Sequence, residues 1–432
     1  MNGEITARQG DAKKIMRDGF FWNAVYAGLN AIQAAVLLFA ISRKYDLTVA
    51  GVITIGFTIA NLTAIIARYG LRNYQVTDVD EQFRFSDYYW SRIISSMGAV
   101  LLSLGYLVFM VVGGRYSTEK GLIIFAIIIL KTEEAIEEIF VSRLQQKGRL
   151  DVGARIAAIR IGAATLVIFV SLWFIPNLLV CLLLGIAIEI LIDVLLIPSG
   201  KKYADFSISR IDTGAVRKLL KVGIPLCVGM ALHNYAGNAP KYLVDLYLTD
   251  ELQAICGYVM MPMFVLTVLN SFVMQPAVKG LGDAWHTDKA YFWKKVTRHI
   301  LLISGLAIVV LGLGLVIGLP VLSIMYKVEL NAYRKEFLIL MVGGGFYTVS
   351  AYLIVLLTAM RRQAGIVWGC AAALLVYLAL GGVMSRSMGF SGACWLYIAA
   401  NIAMTAVFIL FLLKKTPVQD HETAEQAGVE VC

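Results

Sequence analysis

Charged side chains inside a long apolar stretch are the first candidates for chemistry in this sequence. Residues 118–141 carry Lys131, Glu134 and Glu138, and their spacing places the three side chains on one face of a helix. A charge at mid-membrane depth costs at least about 2.5 kcal/mol on insertion scales, so it normally faces protein or a wet cavity. One stripe of this predicted helix must therefore avoid lipid.

Two neighbouring apolar stretches carry charges at similar depth. Arg160 lies in one, and the i, i+4 pair of Glu189 and Asp193 lies in the other. One hypothesis is a buried ion-pair network that locks the three predicted helices together. The other is a coupling site, where a carboxylate takes up H⁺ or Na⁺ and biases one of two conformations. The candidates for ion coupling are Glu134, Glu138, Glu189, Asp193 and Asp245.

The elements that hold these residues are predicted to be membrane-spanning helices. Of the 432 residues, 59% are hydrophobic and 16% are charged, against about 25% charged residues in soluble domains. Apolar stretches long enough to cross about 30 Å of hydrocarbon recur along the chain. We predict an all-α polytopic membrane protein of about twelve spans: 20–41, 48–67, 92–113, 118–141, 153–175, 177–197, 219–239, 253–274, 299–320, 335–357, 364–384 and 391–413.

The distribution of lysine and arginine predicts the orientation of these spans. On the side that holds both termini, loops and span ends carry 27 of these residues, whereas the other side carries 9. Cytoplasmic loops keep an excess of positive charge, so both termini are predicted to be cytoplasmic. The net charge of +9 then reflects topology and contact with anionic membrane lipids rather than nucleic-acid binding.

Two similar halves are predicted on either side of a basic linker at residues 198–218. A shift of 204 residues places Asn30 on Asn234 and aligns the starts of the first and seventh spans. Repeated halves are common in secondary transporters. We predict two six-helix bundles related by a pseudo-two-fold axis along the membrane normal, with residues 1–212 in one, 213–415 in the other and 416–432 as a cytoplasmic tail.

Motifs for enzyme chemistry do not occur in the sequence. It contains no Gly-rich phosphate loop, no HExxH or CxxC pair and no serine nucleophile elbow. The six cysteines are scattered singly, without the spacing of a zinc site or a disulfide framework. We therefore predict no catalytic residues, no cofactor and no metal site, and a protein that is not an enzyme.

Three segments resemble the Wzx-type polysaccharide flippases of the MOP superfamily, which also includes the MATE-like exporters. They are ARYGLRNYQVTD at 67–78, KGRLDVGARIAAIR at 147–160 and NAPKYLVDLYLTDELQAICGYVMMP at 238–262. The resemblance implies two bundles in a V shape that work by alternating access in the bacterial inner membrane. The implied cargo is an undecaprenyl-pyrophosphate-linked oligosaccharide, moved from the cytoplasmic to the outer leaflet, with H⁺ or Na⁺ as coupling ion and polysaccharide polymerase and glycosyltransferase machinery as partners.

The substrate-binding candidates follow from the cavity that this resemblance implies. Its walls are spans one, two, seven and eight, and an anionic headgroup needs positive charge and hydrogen-bond donors there. The candidates on these spans are Asn30, Asn61, Arg68, Arg72, Asn234, Asn238 and Lys241.

Each of these candidates also has a structural interpretation. Arg68 and Arg72 fit ordinary positive-inside anchoring, and Lys241 fits a local ion pair with Asp245. The two asparagines related by the repeat either face each other across the cavity or join helices by hydrogen bonds. His233 is a candidate proton site, but a lone membrane histidine is more often a packing or hydrogen-bonding residue.

Two other transport functions remain open on the sequence alone. A MATE-like antiporter for drugs or small organic cations needs an acidic, aromatic cavity, and the asparagine and lysine content of span seven favours a flippase instead. The cargo of a flippase can also be another lipid-linked precursor, such as a teichoic-acid or peptidoglycan intermediate.

Overall fold

The computed structural model describes residues 2–78, 80–263, 265–267, 270, 288–360 and 362–414, and these ranges contain helices and short connections without a strand. The all-α prediction is therefore confirmed. Eight helical stretches in these ranges are long and apolar enough to cross a bilayer. The helices are α1 (Asn2–Lys44), α2 (Leu47–Arg68), α3 (Leu71–Thr77), α4 (Phe85–Val112), α5 (Thr118–Gln146), α6 (Leu150–Phe174), α7 (Leu178–Leu196), α8 (Thr213–Tyr247), α9 (250–263), α10 (Lys289–Leu313), α11 (Leu319–Tyr326), α12 (Arg334–Ala359) and α13 (Gln363–Leu413).

Every predicted span overlaps at least one of these helices. The ninth span covers parts of α10 and α11, which a π-helical turn at Gly314–Gly318 joins. The last two spans both lie in α13, where Gly389 has a φ of 59° and interrupts the helical backbone. The count of twelve and the boundary between the halves stay predictions, and the predicted tail at 416–432 lies outside the described residues.

Short polar side chains begin several of the helices. Asp46 accepts a hydrogen bond from the Val49 amide at the start of α2, and Ser117 accepts one from the Lys120 amide at the start of α5. Such caps satisfy backbone donors that have no partner within the helix. At the other end of α2, Tyr69 and Gly70 both have positive φ values and turn the chain into α3.

The helices pack as two bundles, an arrangement that matches the predicted fold class. In the first bundle α5 is central and contacts α2, α4, α6 and α7, while α1 packs along α6. In the second bundle α13 packs against α8 and α12, and α10 packs against α12. The bundles meet where α2 and α4 contact α8 and where α1 contacts α11.

The helix ends lie on two sides of the molecule. We call the side with the α2–α3, α5–α6 and α7–α8 connections the basic side, because it carries most of the lysine and arginine residues. We call the side with the α1–α2, α4–α5 and α8–α9 connections the opposite side. On the basic side, hydrogen bonds from Lys147 and Arg143 lower the pKa of Glu81 and anchor the α3–α4 loop to the end of α5.

Candidate functional site

Two cations flank Glu134 in the middle of α5. Its carboxylate lies 2.6 Å from Lys131 Nζ and 3.7 Å from Arg68 Nη2. Lys131 also donates hydrogen bonds to the side chains of Gln33 and Asn30 on α1, the latter at 3.4 Å. The predicted Lys131–Glu134 stripe therefore faces protein, and it ties α5 to α1 and α2.

One turn along α5, Glu138 faces three guanidinium groups. Arg92 lies at 3.2 Å, Arg72 at 3.4 Å and Arg68 at 3.7 Å. Arg92 is fully buried, whereas the side chains of Arg68 and Arg72 keep 27% and 29% of their surface exposed. We call Arg68, Arg72, Arg92 and Lys131 around Glu134 and Glu138 the cationic cluster. It has two more positive than negative groups when all are ionised.

The opposite imbalance occurs around Arg160 of α6, which is fully buried. Its guanidinium lies 2.5 Å from Glu133, 3.4 Å from Glu189, 3.5 Å from Glu137 and 3.9 Å from Asp193. We call these five residues the Arg160 cluster. Glu137 and Glu189 are buried, whereas Glu133 and Asp193 are partly exposed. One cation cannot neutralise four carboxylates, and carboxylates packed this closely do not all ionise.

Glu189 lies among these carboxylates without a hydrogen bond. Neither of its oxygens accepts one from an amine, amide or hydroxyl among the described residues. Its cationic neighbour is Arg160, at 3.4 Å. The Arg160 cluster is therefore a group of acids held by a single guanidinium.

The predicted ion-pair network is present and larger than expected. It joins α5, α6 and α7, as the sequence indicated, and extends to α2, α3 and α4 through Arg68, Arg72 and Arg92. Arg92 was counted only among the lysine and arginine residues at loops and span ends, and was not predicted to belong to the network. Its small polar neighbours Ser91 and Ser95 were the signal in the sequence that this face of α4 packs inside the protein, and both are buried in the structure.

A third group of polar residues lies on one face of α8. Lys241 Nζ donates a hydrogen bond of 3.1 Å to the Asn238 side chain, whose amide nitrogen in turn donates to the Asn234 carbonyl at 3.1 Å. The side-chain oxygen of Asn234 is buried and has no hydrogen-bond partner among the described residues. The predicted Lys241–Asp245 ion pair is wrong, because no described carboxylate lies within 4 Å of Lys241.

Asp245 instead belongs to a contact between the two bundles on the opposite side. Lys120 of α5 lies 3.0 Å from Asp245 and 2.6 Å from Asp250, and Tyr116 donates a hydrogen bond to Asp245. Thr48 of α2 donates to Glu251 at 2.9 Å. We call these contacts, together with the packing of α2 on α9, the opposite-side gate.

Two glycines make the close packing of this gate possible. A Cβ atom at Gly51 would lie 1.8 Å from the carbonyl oxygen of Asp250, and one at Gly257 would lie 2.7 Å from Thr54. Real Cβ atoms do not approach other atoms so closely. Helix α2 therefore touches the α8–α9 turn directly, and the gate is closed in this structure.

The chain resembles known proteins in structure and not in sequence. No protein-family model matches the chain, and no curated protein matches it significantly in sequence. Among solved structures, it is similar to a lipid II flippase MurJ in an inward closed conformation, with a TM-score of 0.65 and 13% identity over 94% of this chain and 88% of that chain. This likeness is one of overall fold.

Two MATE transporters also have a similar fold. An inward-facing multidrug resistance MATE family transporter of the MOP superfamily has a TM-score of 0.59 and 10% identity, over 90% of this chain and 97% of that chain. The Vibrio cholerae MATE transporter VcmN in its bent form has a TM-score of 0.58 and 12% identity, over 94% and 97%. The likeness shows the fold and leaves the cargo open.

In the structure, most of the predicted binding residues separate into two groups. Asn30, Arg68 and Arg72 contact the cationic cluster or belong to it, whereas the three α8 residues form their own hydrogen-bonded row. Asn61 is exposed on α2. No hydrogen bond joins Asn30 to Asn234 among the described residues.

His233 occupies a packed site in the second bundle. It hydrogen bonds to Ser350 at 3.1 Å and to Tyr347 at 3.2 Å, and it stacks on the Tyr347 ring. Both ring nitrogens therefore have partners. These contacts favour the hydrogen-bonding interpretation over a proton site.

Proposed function

We propose that the chain is a flippase for undecaprenyl-pyrophosphate-linked oligosaccharides in the bacterial inner membrane. It moves its cargo from the cytoplasmic to the outer leaflet by alternating access and delivers it to the polysaccharide polymerase and glycosyltransferase machinery. The observation that carries the proposal is Lys241, a half-buried cation with two asparagines beside it and no described carboxylate within 4 Å. Such a group is suited to an anion that leaves water.

The cationic cluster supplies the second part of the proposed path. Arg68 and Arg72 are partly exposed on the basic side, which we predict to be cytoplasmic. The cluster has more cations than carboxylates, so it attracts a pyrophosphate. With the opposite-side gate closed, the headgroup meets the two arginines first and Lys241 deeper in the protein.

The balance of charges also bears on the alternative, a MATE-like antiporter for drugs or small organic cations. A cation carrier needs a carboxylate free to face its cargo. Glu134 and Glu138 are each held by two or more cations, and Asp245 is held by Lys120. A solved structure that is similar to this chain is also described as a lipid II flippase, which supports the flippase proposal.

Substitution of Lys241 by methionine is expected to weaken cargo binding by at least about tenfold, because a hydrogen bond to a charged group contributes about 1.5–3 kcal/mol. The measurement is calorimetric titration of the detergent-solubilised protein with a short-chain prenyl-pyrophosphate oligosaccharide. Lys335→Met, an exposed lysine on the opposite side, is the control and should bind normally. If wild-type protein binds tetraphenylphosphonium and not the pyrophosphate, the antiporter is the better description.

We assign ion coupling to the Arg160 cluster, and in particular to Glu189 and Asp193. The other coupling candidates, Glu134, Glu138 and Asp245, already have close cationic partners. The Arg160 cluster holds carboxylates in excess, so a change in its surroundings between two conformations would bind or release protons.

Glu189→Gln is therefore expected to fold but to lose the acceleration of transport by a pH gradient. Glutamine keeps the shape of the side chain and cannot exchange the proton. The rate is measured in liposomes with and without the gradient, beside thermal unfolding of the same protein. Glu119→Gln, at an exposed glutamate of α5, is the control, and an unchanged gradient response in Glu189→Gln would remove this cluster from the coupling mechanism.

A further inference from the structure

A groove of about 490 Å³ lies between the two bundles on the basic side. Ile94 of α4 forms one wall, one face of α8 forms the other, and Ile211 from the linker lies at its end. Val216, Leu220 and Ile224 supply the aliphatic side chains of the α8 wall. The groove is therefore apolar along its length and bridges helices from different bundles.

Two cations stand along the α8 wall of this groove. Arg217 and Lys221 are one helical turn apart, line the groove and are exposed. No described carboxylate lies within 4 Å of either side chain, and the sequence from Thr213 to Val244 contains no aspartate or glutamate. The groove therefore combines an apolar channel with a pair of unneutralised positive charges.

The position of these cations corresponds to the level of lipid headgroups. Farther along the same face of α8, Ile224 and Val228 are exposed, each with more than 40% of its surface accessible. Such a band is suited to contact with hydrocarbon. Arg217 and Lys221 lie just before that band on the basic side, where a phosphate of the cytoplasmic leaflet would be found.

The groove also lies beside the closest contact between the bundles on this side. A Cβ atom at Gly223 would lie 2.7 Å from the Tyr69 ring, and one at Gly70 would lie 2.6 Å from Leu226. Ile224, which lines the groove, lies between Gly223 and Leu226 in the sequence of α8. A molecule in the groove would therefore touch α4 and α8 next to the seam that holds the bundles together.

We propose that this groove binds an anionic phospholipid of the cytoplasmic leaflet. Arg217 and Lys221 bind the phosphate, and one acyl chain lies along Ile94, Leu220 and Ile224. The charge pair matches a phosphate group, and basic pockets between transmembrane helices on the cytoplasmic side are typical sites for anionic lipid headgroups. The occupant is a molecule already in the bilayer, because the aliphatic wall continues beyond the groove to the exposed Val228 on the same face of α8. None of the residues that line this groove belongs to the cationic cluster or to the Lys241 row, and the proposal does not depend on the nature of the cargo.

The test is native mass spectrometry of the full chain, released from detergent after equilibration with equal amounts of phosphatidylglycerol and phosphatidylcholine. Wild-type protein should retain phosphatidylglycerol preferentially. Arg217→Gln/Lys221→Gln should retain about 25-fold less, since each cation near an anionic membrane surface contributes about a factor of five. Lys14→Gln/Lys201→Gln, which removes two exposed cations elsewhere on the basic side, should retain as much as wild type.

A second variant separates shape from charge. Ile94→Trp fills the groove while both cations remain, and it should also reduce retention of phosphatidylglycerol, with thermal unfolding as the check on folding. Equal losses in the two charge-removal variants would overturn the proposal, because they indicate general attraction to a basic surface. Equal retention of phosphatidylcholine, or preference for a prenyl phosphate over phosphatidylglycerol in competition, would also overturn it.

Discussion

Replacing Gly51 by alanine is expected to prevent closure of the opposite-side gate and to lower transport by about tenfold or more. The new Cβ atom would lie 1.8 Å from the backbone carbonyl oxygen of Asp250, so α2 and the α8–α9 turn must separate. Overpacking of this kind costs about 1–3 kcal/mol and sometimes more, which shifts a two-state equilibrium by about one to two orders of magnitude. Alanine is a better helix former than glycine, so the helix itself is not weakened.

Hydrogen exchange at residues 245–257 measures this effect without labels. In Gly51→Ala the exchange of these amides should rise, because the contacts of Asp245 and Asp250 with Lys120 are lost when the gate opens. Gly98→Ala is the matched control, since a Cβ atom at Gly98 meets nothing within 4 Å. Wild-type exchange and transport in Gly51→Ala would show that the gate does not close during the cycle.

Replacing Arg160 by methionine is expected to destabilise the protein by about 3–5 kcal/mol, the usual cost of removing one partner from a buried ion pair. The substitution leaves Glu133, Glu137, Glu189 and Asp193 without a cation. The loss should be smaller at acidic pH, where protonation removes the negative charge from these carboxylates. Thermal unfolding at pH 5 and pH 8 measures both effects.

Arg155→Met provides the control for this experiment on the same helix. Arg155 is exposed on α6, so its removal should change the unfolding temperature little at either pH. A triple variant with Arg160→Met, Glu133→Gln and Glu189→Gln should recover part of the stability. If Arg160→Met and Arg155→Met unfold alike, the Arg160 cluster does not stabilise the bundle.

The sequence was informative about the helices and about the contacts within single helices. Long apolar stretches predict spans because a helix satisfies its own backbone hydrogen bonds in lipid. The spacing of Lys131 and Glu134 predicted a shared face, and the structure places them 2.6 Å apart. Both inferences depend on local periodicity, which a sequence displays directly.

Contacts between distant segments were not predictable in the same way. Asp245 has Lys241 as its nearest cation along the helix, yet it pairs with Lys120, 125 residues earlier. Gly51 is one of 38 glycines, and nothing near it in the sequence distinguishes it as a contact between bundles. Both facts depend on how α2, α5 and α8 pack. This packing decides which of several possible partners a residue contacts, and a single sequence does not distinguish between those partners.

The most direct test of the flippase is transport of its proposed cargo by the purified protein. The chain is reconstituted into liposomes with a fluorescent undecaprenyl-pyrophosphate oligosaccharide in one leaflet, and its appearance in the other leaflet is followed with and without H⁺ or Na⁺ gradients. If the chain is this flippase, flipping should be well above that of protein-free liposomes. It should be greatly reduced in Lys241→Met and normal in Lys335→Met. Absence of flipping by wild-type protein that takes up a small organic cation in the same liposomes would contradict it.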